Sequence, residues 1–324
     1  MTASVPAQFR FDIAARSSAG TGHGLRLENQ DNFLLINEQG HATFLMGEAQ
    51  QQRRIEGWPA GHARVAVLDG MGGHGHGREA AEAVVAGLLA MPPCASLSQL
   101  SRLLDALHAN LQEHFAGADA PAKRPGTTLT LLELHPDQPA MLYHVGDSRL
   151  YRITPTQVAP LTVDHVPATA FAMAGVLGEQ EWWQQVHAEH RSQISQAFVL
   201  GNAFVNPALL GNALVELGPH NLPPYLSHLP DRRALTLDDD ALYLLASDGF
   251  WACAEPYGWV AGWPALLGGR GCARATVDAL FNEIAQRPPH NLHPDNLTAI
   301  VVRRASRVLP SGEETALPTH NINQ

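Results

Sequence analysis

The order of β-type and helical runs along this 324-residue chain points to an α+β fold built on antiparallel sheets. Three observations carry that reading. Seven short apolar stretches have strand character: "QFRFDIAARS" (8–17), "DNFLLINE" (31–38), "ARVAVLDG" (63–70), "TTLTLLELH" (127–135), "PAMLYHVGDS" (139–148), "ALYLLASDG" (241–249) and "LTAIVVRR" (297–304). Two of these flank the compact turn "HPDQP" and read as a hairpin, a connection that joins antiparallel strands. Two helical stretches also follow one another directly, which breaks the strict strand–helix alternation of a parallel sheet.

The helices are defined by spacing and by their ends. In "REAAEAVVAGLLAM" (78–91), Ala81, Val84, Val85, Leu88 and Leu89 share one face, and Pro92 and Pro93 stop the helix. "SLSQLSRLLDALHANLQEHF" (96–115) places Leu100, Leu103, Leu104, Leu107 and Leu111 at helical spacing. A third helix is predicted over "CARATVDALFNEIAQ" (272–286), again closed by a Pro pair. Two regions escape these patterns. Residues 39–62 are polar and Gln-rich and read as an insertion or long loop; residues 166–235 are apolar but irregular, with paired Trp182 and Trp183. The tail 306–324 is polar and reads as disordered, leaving 1–305 as a single domain.

Composition excludes several classes. Apolar residues at 45% supply a substantial core, and 21 basic against 31 acidic residues leave a net charge of −10. That balance opposes a nucleic-acid surface, which needs clustered Lys and Arg. Cys94, Cys253 and Cys272 are widely spaced and form no C-x-x-C, as in a reducing, cytoplasmic protein. The first 18 residues lack a basic start with an apolar core, and no apolar run approaches the roughly 20 residues that span a bilayer, so no membrane contact is expected.

"VAVLDGMGGHGHGREAAEAVV" (65–85) is ambiguous in isolation. Gly70, Gly72 and Gly75 satisfy the dinucleotide fingerprint G-x-G-x-x-G, but the second strand and the ribose-binding acid that must follow are missing. A carboxylate, Asp69, instead stands before the first glycine. The same placement recurs: Asp31, Asp147, Asp248 and Asp295 all sit at ends of apolar strands. One such residue is ordinarily a turn cap. Five converging would repel one another and suffer desolvation, which divalent cations relieve. An oxygen-rich set without Cys favours Mg²⁺ or Mn²⁺ over zinc.

Seven motifs then occur in a fixed order: "RLENQDNF" (26–33), "VLDGMGGHGHG" (67–77), "GTTLTLL" (126–132), "VGDSRLYRI" (145–153), "LTVDH" (161–165), "LLASDGFW" (244–251) and "PDNLTAIVV" (294–302). Together they resemble the metal-dependent type 2C protein phosphatases, in their bacterial serine/threonine branch, over roughly residues 10–304. The resemblance implies a four-layer α-β-β-α sandwich, two antiparallel sheets flanked by helices, with an extended flap over 166–235. It implies a two-metal site, possible third metal included, holding Mn²⁺ or Mg²⁺. Asp69 would bridge both ions, Gly70 would offer a carbonyl, Asp248 and Asp295 would complete the set, Asp31 would act directly or through water, and Asp147 would serve the third ion. A bridging water would attack phosphorus in line, with Arg26 gripping the phosphate. The partners implied are a phosphorylated protein substrate and a cognate serine/threonine kinase.

The chain departs from eukaryotic members at two places. Met71 stands where they carry a histidine, so His74 becomes the candidate general acid, with His76 on the same loop as its competitor; Gln30 replaces a glutamate. Asp164 and His165 are expected to brace the flap, and the Trp pair to pack it. Two other classes compete: a catalytically silent phosphoprotein-binding relative, opposed by the intact acids and Arg26, and a nuclease, opposed by the net charge.

Overall fold

The computed structural model describes residues 10–20, 25–72, 76–116, 124–188, 191, 193–206 and 209–305. The expected tail 306–324 therefore lies outside the described residues. Strands β1 (Phe11–Ser18), β2 (Asn32–Ile36), β3 (His41–Met46), β4 (Ala49–Arg54), β5 (Ala63–Leu68) and β6 (Gly70–Met71) precede helices α1 (His76–Ala90) and α2 (Leu97–Phe115). Then come β7 (Gly126–Thr127), β8 (Leu129–Leu134), β9 (Ala140–Val145), β10 (Arg149–Ile153) and β11 (Val158–Pro160). The irregular region contributes α3 (Pro167–Met173), α4 (Glu179–Trp183), β12 (Gln196–Ala197), β13 (Gly201–Asn202) and β14 (Arg232–Leu235). The chain closes with β15 (Leu242–Ala246), α5 (Pro256–Ala261), α6 (Trp263–Leu267), α7 (Ala273–Gln286) and β16 (Leu297–Arg304).

Two large antiparallel sheets organise these elements. One runs β14-β9-β8-β5-β2-β3-β4, the other β1-β16-β15-β10-β11. Their inner faces meet in one core of Val65, Val67, Leu132, Leu142, Leu245 and Ile300. The apolar stripe of α1 (Ala81, Val84, Val85, Leu88) and Leu100 and Leu104 of α2 cover the outer face of the seven-stranded sheet. Val277, Leu280 and Ile284 of α7 cover the outer face of the other. Helices thus lie outside both sheets, and the four-layer sandwich expected from the motifs is the observed one. β5 has both faces covered, which explains why residues 65–68 run apolar without alternation, the one charge in the strand being the buried Arg64. The hairpin expected over 127–148 is β8 and β9, paired from Leu129↔Val145 to Glu133↔Met141.

The two irregular regions behave differently. Residues 39–62, read as an insertion or loop, hold β3 and β4 as a hairpin extending the larger sheet. β4 is exposed at every position, so no buried face imposes an apolar alternation on "AQQQRR", and its strand character is invisible to periodicity. The hairpin tip is tied to α1: Gly47 N–H donates to Glu82 at 2.8 Å, and Arg78 pairs with Glu48 at 3.1 Å. Within 166–235, α3, α4 and the segment 217–226 pack around a separate small core of Val163, Ala168, Ala172, Trp182, Val186, Leu217, Leu222 and Leu226, while Phe198 and Val199 join the core under α1 and α2. Trp182 is buried in it, and Trp183 packs beside it against His187 and Tyr257. Among the described residues, no helix is long and apolar enough to cross a membrane.

Candidate functional site

Register brings the strand-end acids together. Asn32 pairs with Leu68, so Asp31 and Asp69, one residue beyond each, share an end of the larger sheet with Asp147 after β9. In the smaller sheet Ala246 pairs with Ala299, which brings Asp248 and Asp295 to one end. The two ends converge on an open pocket of about 420 Å³. Asp69, Gly70, Asp147, Asp248, Asp295 and Arg26 all line it.

Hydroxyl and amide groups from the other motifs hold this end rigid. Thr128 Oγ1 accepts the Asp69 N–H at 2.9 Å, the Thr128 N–H donates to the Asp69 carbonyl at 2.9 Å, and Thr128 Oγ1 lies 2.6 Å from Ser148 Oγ. Asn296 Oδ1 accepts the Gln30 N–H at 2.8 Å, and Asn296 Nδ2 donates to the Glu28 carbonyl at 3.0 Å, stitching the last motif to the first. Gly70 and Gly77 touch backbone to backbone beside Gln30, so a Cβ on either would collide with main-chain atoms. The glycines that this loop demands for close approach are therefore 70 and 77.

The acids are a repelling cluster. Burial, then the charges of Asp31, Asp248 and Asp147, raises the Asp69 carboxyl well above its usual range. Burial and Asp248 do the same to Asp147. Asp248 is pushed up to about 6 by burial and by Asp295, while a hydrogen bond with Asp69 pulls it back. Asp31 is 3% exposed and does not line the pocket; its carboxyl is raised to about 7 chiefly by burial although the Ser247 hydroxyl donates to it at 2.7 Å. Buried acids that lack positive partners are costly unless a cation joins them. The donors are carboxylates and a backbone carbonyl, a set that fits hard divalent ions. Among the described residues, no group of three or more His, Cys, Asp or Glu side chains already stands in metal-holding geometry.

Arg26 is engaged with the cluster itself. Its Nη2 donates to Asp295 at 3.0 Å and its Nε to the Pro294 carbonyl at 2.8 Å, while the side chain remains half exposed. His74 lies outside the described residues. His76 is exposed at the start of α1 and pairs with Glu79 at 2.9 Å rather than lining the pocket. Arg149 of "GDSR" grips Asp164 with three bonds of 2.7–3.1 Å and donates to the Val186 carbonyl at 2.7 Å, tying the irregular region to β10. Pattern reading passed over Thr128, Ser148, Ser247 and Asn296, whose signal is their place inside the motifs. It also passed over Gln193 and Ile194, which line the pocket from a segment with no motif.

No protein-family model and no curated protein sequence matches the chain. Solved structures do match. The S. agalactiae serine/threonine phosphatase aligns over 90% of this chain and 99% of its own, at 20% identity and a TM-score of 0.61. Stp1 from Staphylococcus aureus, a serine/threonine phosphatase, aligns over 94% and 100%, at 18% identity and a TM-score of 0.62. The catalytic domain of the serine/threonine protein phosphatase PstP, in complex with two manganese ions, aligns over 92% and 99%, at 20% identity and a TM-score of 0.56. At such identities the likeness is one of fold.

Proposed function

We propose that this chain is a metal-dependent protein serine/threonine phosphatase of the type 2C family, acting on phosphoproteins against a bacterial kinase, with 1–305 as one catalytic domain. The observation that carries this reading is the convergence of Asp69, Asp147, Asp248 and Asp295 on one pocket beside Arg26, at the sheet ends of a fold shared with bacterial serine/threonine phosphatases. Asp69, Asp248, Asp295 and the Gly70 carbonyl are the ligands we assign to two divalent ions, Mn²⁺ or Mg²⁺, with Asp31 acting from behind and Asp147 serving a third. When bound, such ions lower the pKa of water and offset charge on phosphoryl oxygens. Arg26 would exchange Asp295 for two oxygens of the substrate phosphate, to which its planar fork is matched, and so orient phosphorus. Thr128 and Asn296 hold the loops that carry these groups, so the pocket is built before substrate arrives. His74 is assigned the proton that the leaving serine or threonine oxygen requires.

The test is hydrolysis of phosphoserine, phosphothreonine and phosphotyrosine peptides by purified protein. Turnover of the first two with Mn²⁺, lost to chelator and in Asp248→Asn, is expected. Turnover that survives both treatments would sink the reading, and phosphopeptide binding without turnover would favour a silent binding module.

A further inference from the structure

A second, smaller pocket of about 90 Å³ opens beside the carboxylate pocket and shares Asp147, Gln193 and Asp248 with it. It lies in the seam between two cores. Ala168 and Val186 belong to the small core of the irregular region, and Trp251 belongs to the core between the smaller sheet and α7. Where these cores fail to meet, Pro167, Ala168 and Phe171 of α3 face Val186 and Trp251 across the pocket. Most of the rest of its lining is polar: Arg149 and Asp164 pair within it, the Arg149 guanidinium stacks on Trp251 at 4.6 Å, and Gln185, Arg191 and the three shared residues add to it.

The walls differ in exposure. Trp251 and Ala168 are buried, whereas Phe171 is 49% exposed. A phenyl ring left half in water beside an apolar recess marks a surface that gains by being covered. Because the recess shares three walls with the main pocket, a group attached to whatever enters that pocket can reach it.

We infer that this seam is a specificity subsite for an apolar side chain of the phosphoprotein, one to three residues from the phosphorylated residue along an extended peptide. The inference rests on the reading of the main pocket as the phosphate site. An extended chain advances about 3.3 Å per residue, so a neighbouring side chain reaches the shared wall. A leucine or methionine there covers Phe171 and the other apolar walls.

The experiment compares phosphothreonine peptides that differ only in one flanking residue, Leu or Gly, at each position from −3 to +3, with p-nitrophenyl phosphate as the small substrate. At one position the Leu peptide should exceed the Gly peptide by about 10-fold in kcat/KM, the scale set by a few methylenes in an apolar pocket. That ratio, taken within each protein, should fall to within about twofold in Phe171→Ala and in Ala168→Leu, which fills the recess from its buried side. Equal rates for Leu and Gly at every position, or a Leu preference untouched by both substitutions, overturns the subsite while p-nitrophenyl phosphate turnover keeps the phosphatase reading intact. Absence of metal-dependent turnover on every substrate overturns that reading and the subsite with it.

Discussion

Strand β5 meets buried acids at both of its ends, and the two ends treat them in opposite ways. Near its start, Arg64 lies opposite Glu133 of β8, and both are fully buried. Glu133 accepts from Arg64 at 2.6 and 2.9 Å and from the Cys94 N–H at 3.0 Å, and lies 2.7 Å from His62 Nε2. Burial alone would raise its carboxyl, but His62 and Arg64 outweigh burial and hold it below its ordinary value. Roughly 17 Å further along, at about 3.3 Å per residue, Asp69 ends the same strand with other acids for company and its carboxyl is raised. The fold can neutralise a buried carboxylate when the partners are built in. At the other end it has not done so, and the proposed metal site rests on that imbalance.

Substitutions should separate the two ends. Asp69→Asn is expected to lower kcat by about 10³-fold or more, the scale of several kcal/mol of transition-state stabilisation, while its urea midpoint holds or rises because repulsion is relieved. Glu133→Ala should do the reverse. Leaving Arg64 buried without its partner costs about 3–5 kcal/mol in chemical denaturation, and activity per folded molecule should be unchanged. A loss of stability in Asp69→Asn as large as that in Glu133→Ala would erase the contrast.

Smaller effects refine it. Mn²⁺ at about 100 times its dissociation constant should stabilise the wild type by about 2.7 kcal/mol, and Glu133→Ala by the same increment, whereas Asp248→Asn should gain much less. Calorimetry on the three proteins checks this. The pH dependence of the metal-free protein should have opposite signs at the two ends. Glu133 is depressed below its ordinary 4.5, so its stabilisation is present above that value and is lost as pH falls through the folded value. Asp31 is raised from 3.8 to about 7, so its contribution is full below 3.8 and is lost as pH rises towards 7. Each unmatched proton contributes a slope of at most about 1.4 kcal/mol per pH unit. Asp31→Asn should flatten the fall on the neutral side, and a denaturation series from pH 4 to 8 reads it directly.

The legible parts of the molecule are those governed by local pattern. The strands around Asp31, Asp69, Asp248 and Asp295 showed themselves because core burial imposes an apolar run that a carboxylate visibly terminates. Helices α1, α2 and α7 showed their buried faces by spacing, and the motif resemblance brought the layering with it. β4 stayed hidden because an exposed edge strand has no face to keep apolar. Gln193, Ile194 and Phe171 stayed hidden because segments distant in the chain bring them to the two adjoining pockets, and no spacing rule connects them to Asp147.

Where each acid stands in the chain is a one-dimensional fact, written by the alternation of buried strand and tight turn. The company it keeps is three-dimensional. Asp69 and Glu133 are both acids beside an apolar run, and nothing local says that one will face Arg64 and the other Asp248. Strand register decides that, by setting which side chains lie opposite one another, and with it decides which buried charge is answered from within and which is not.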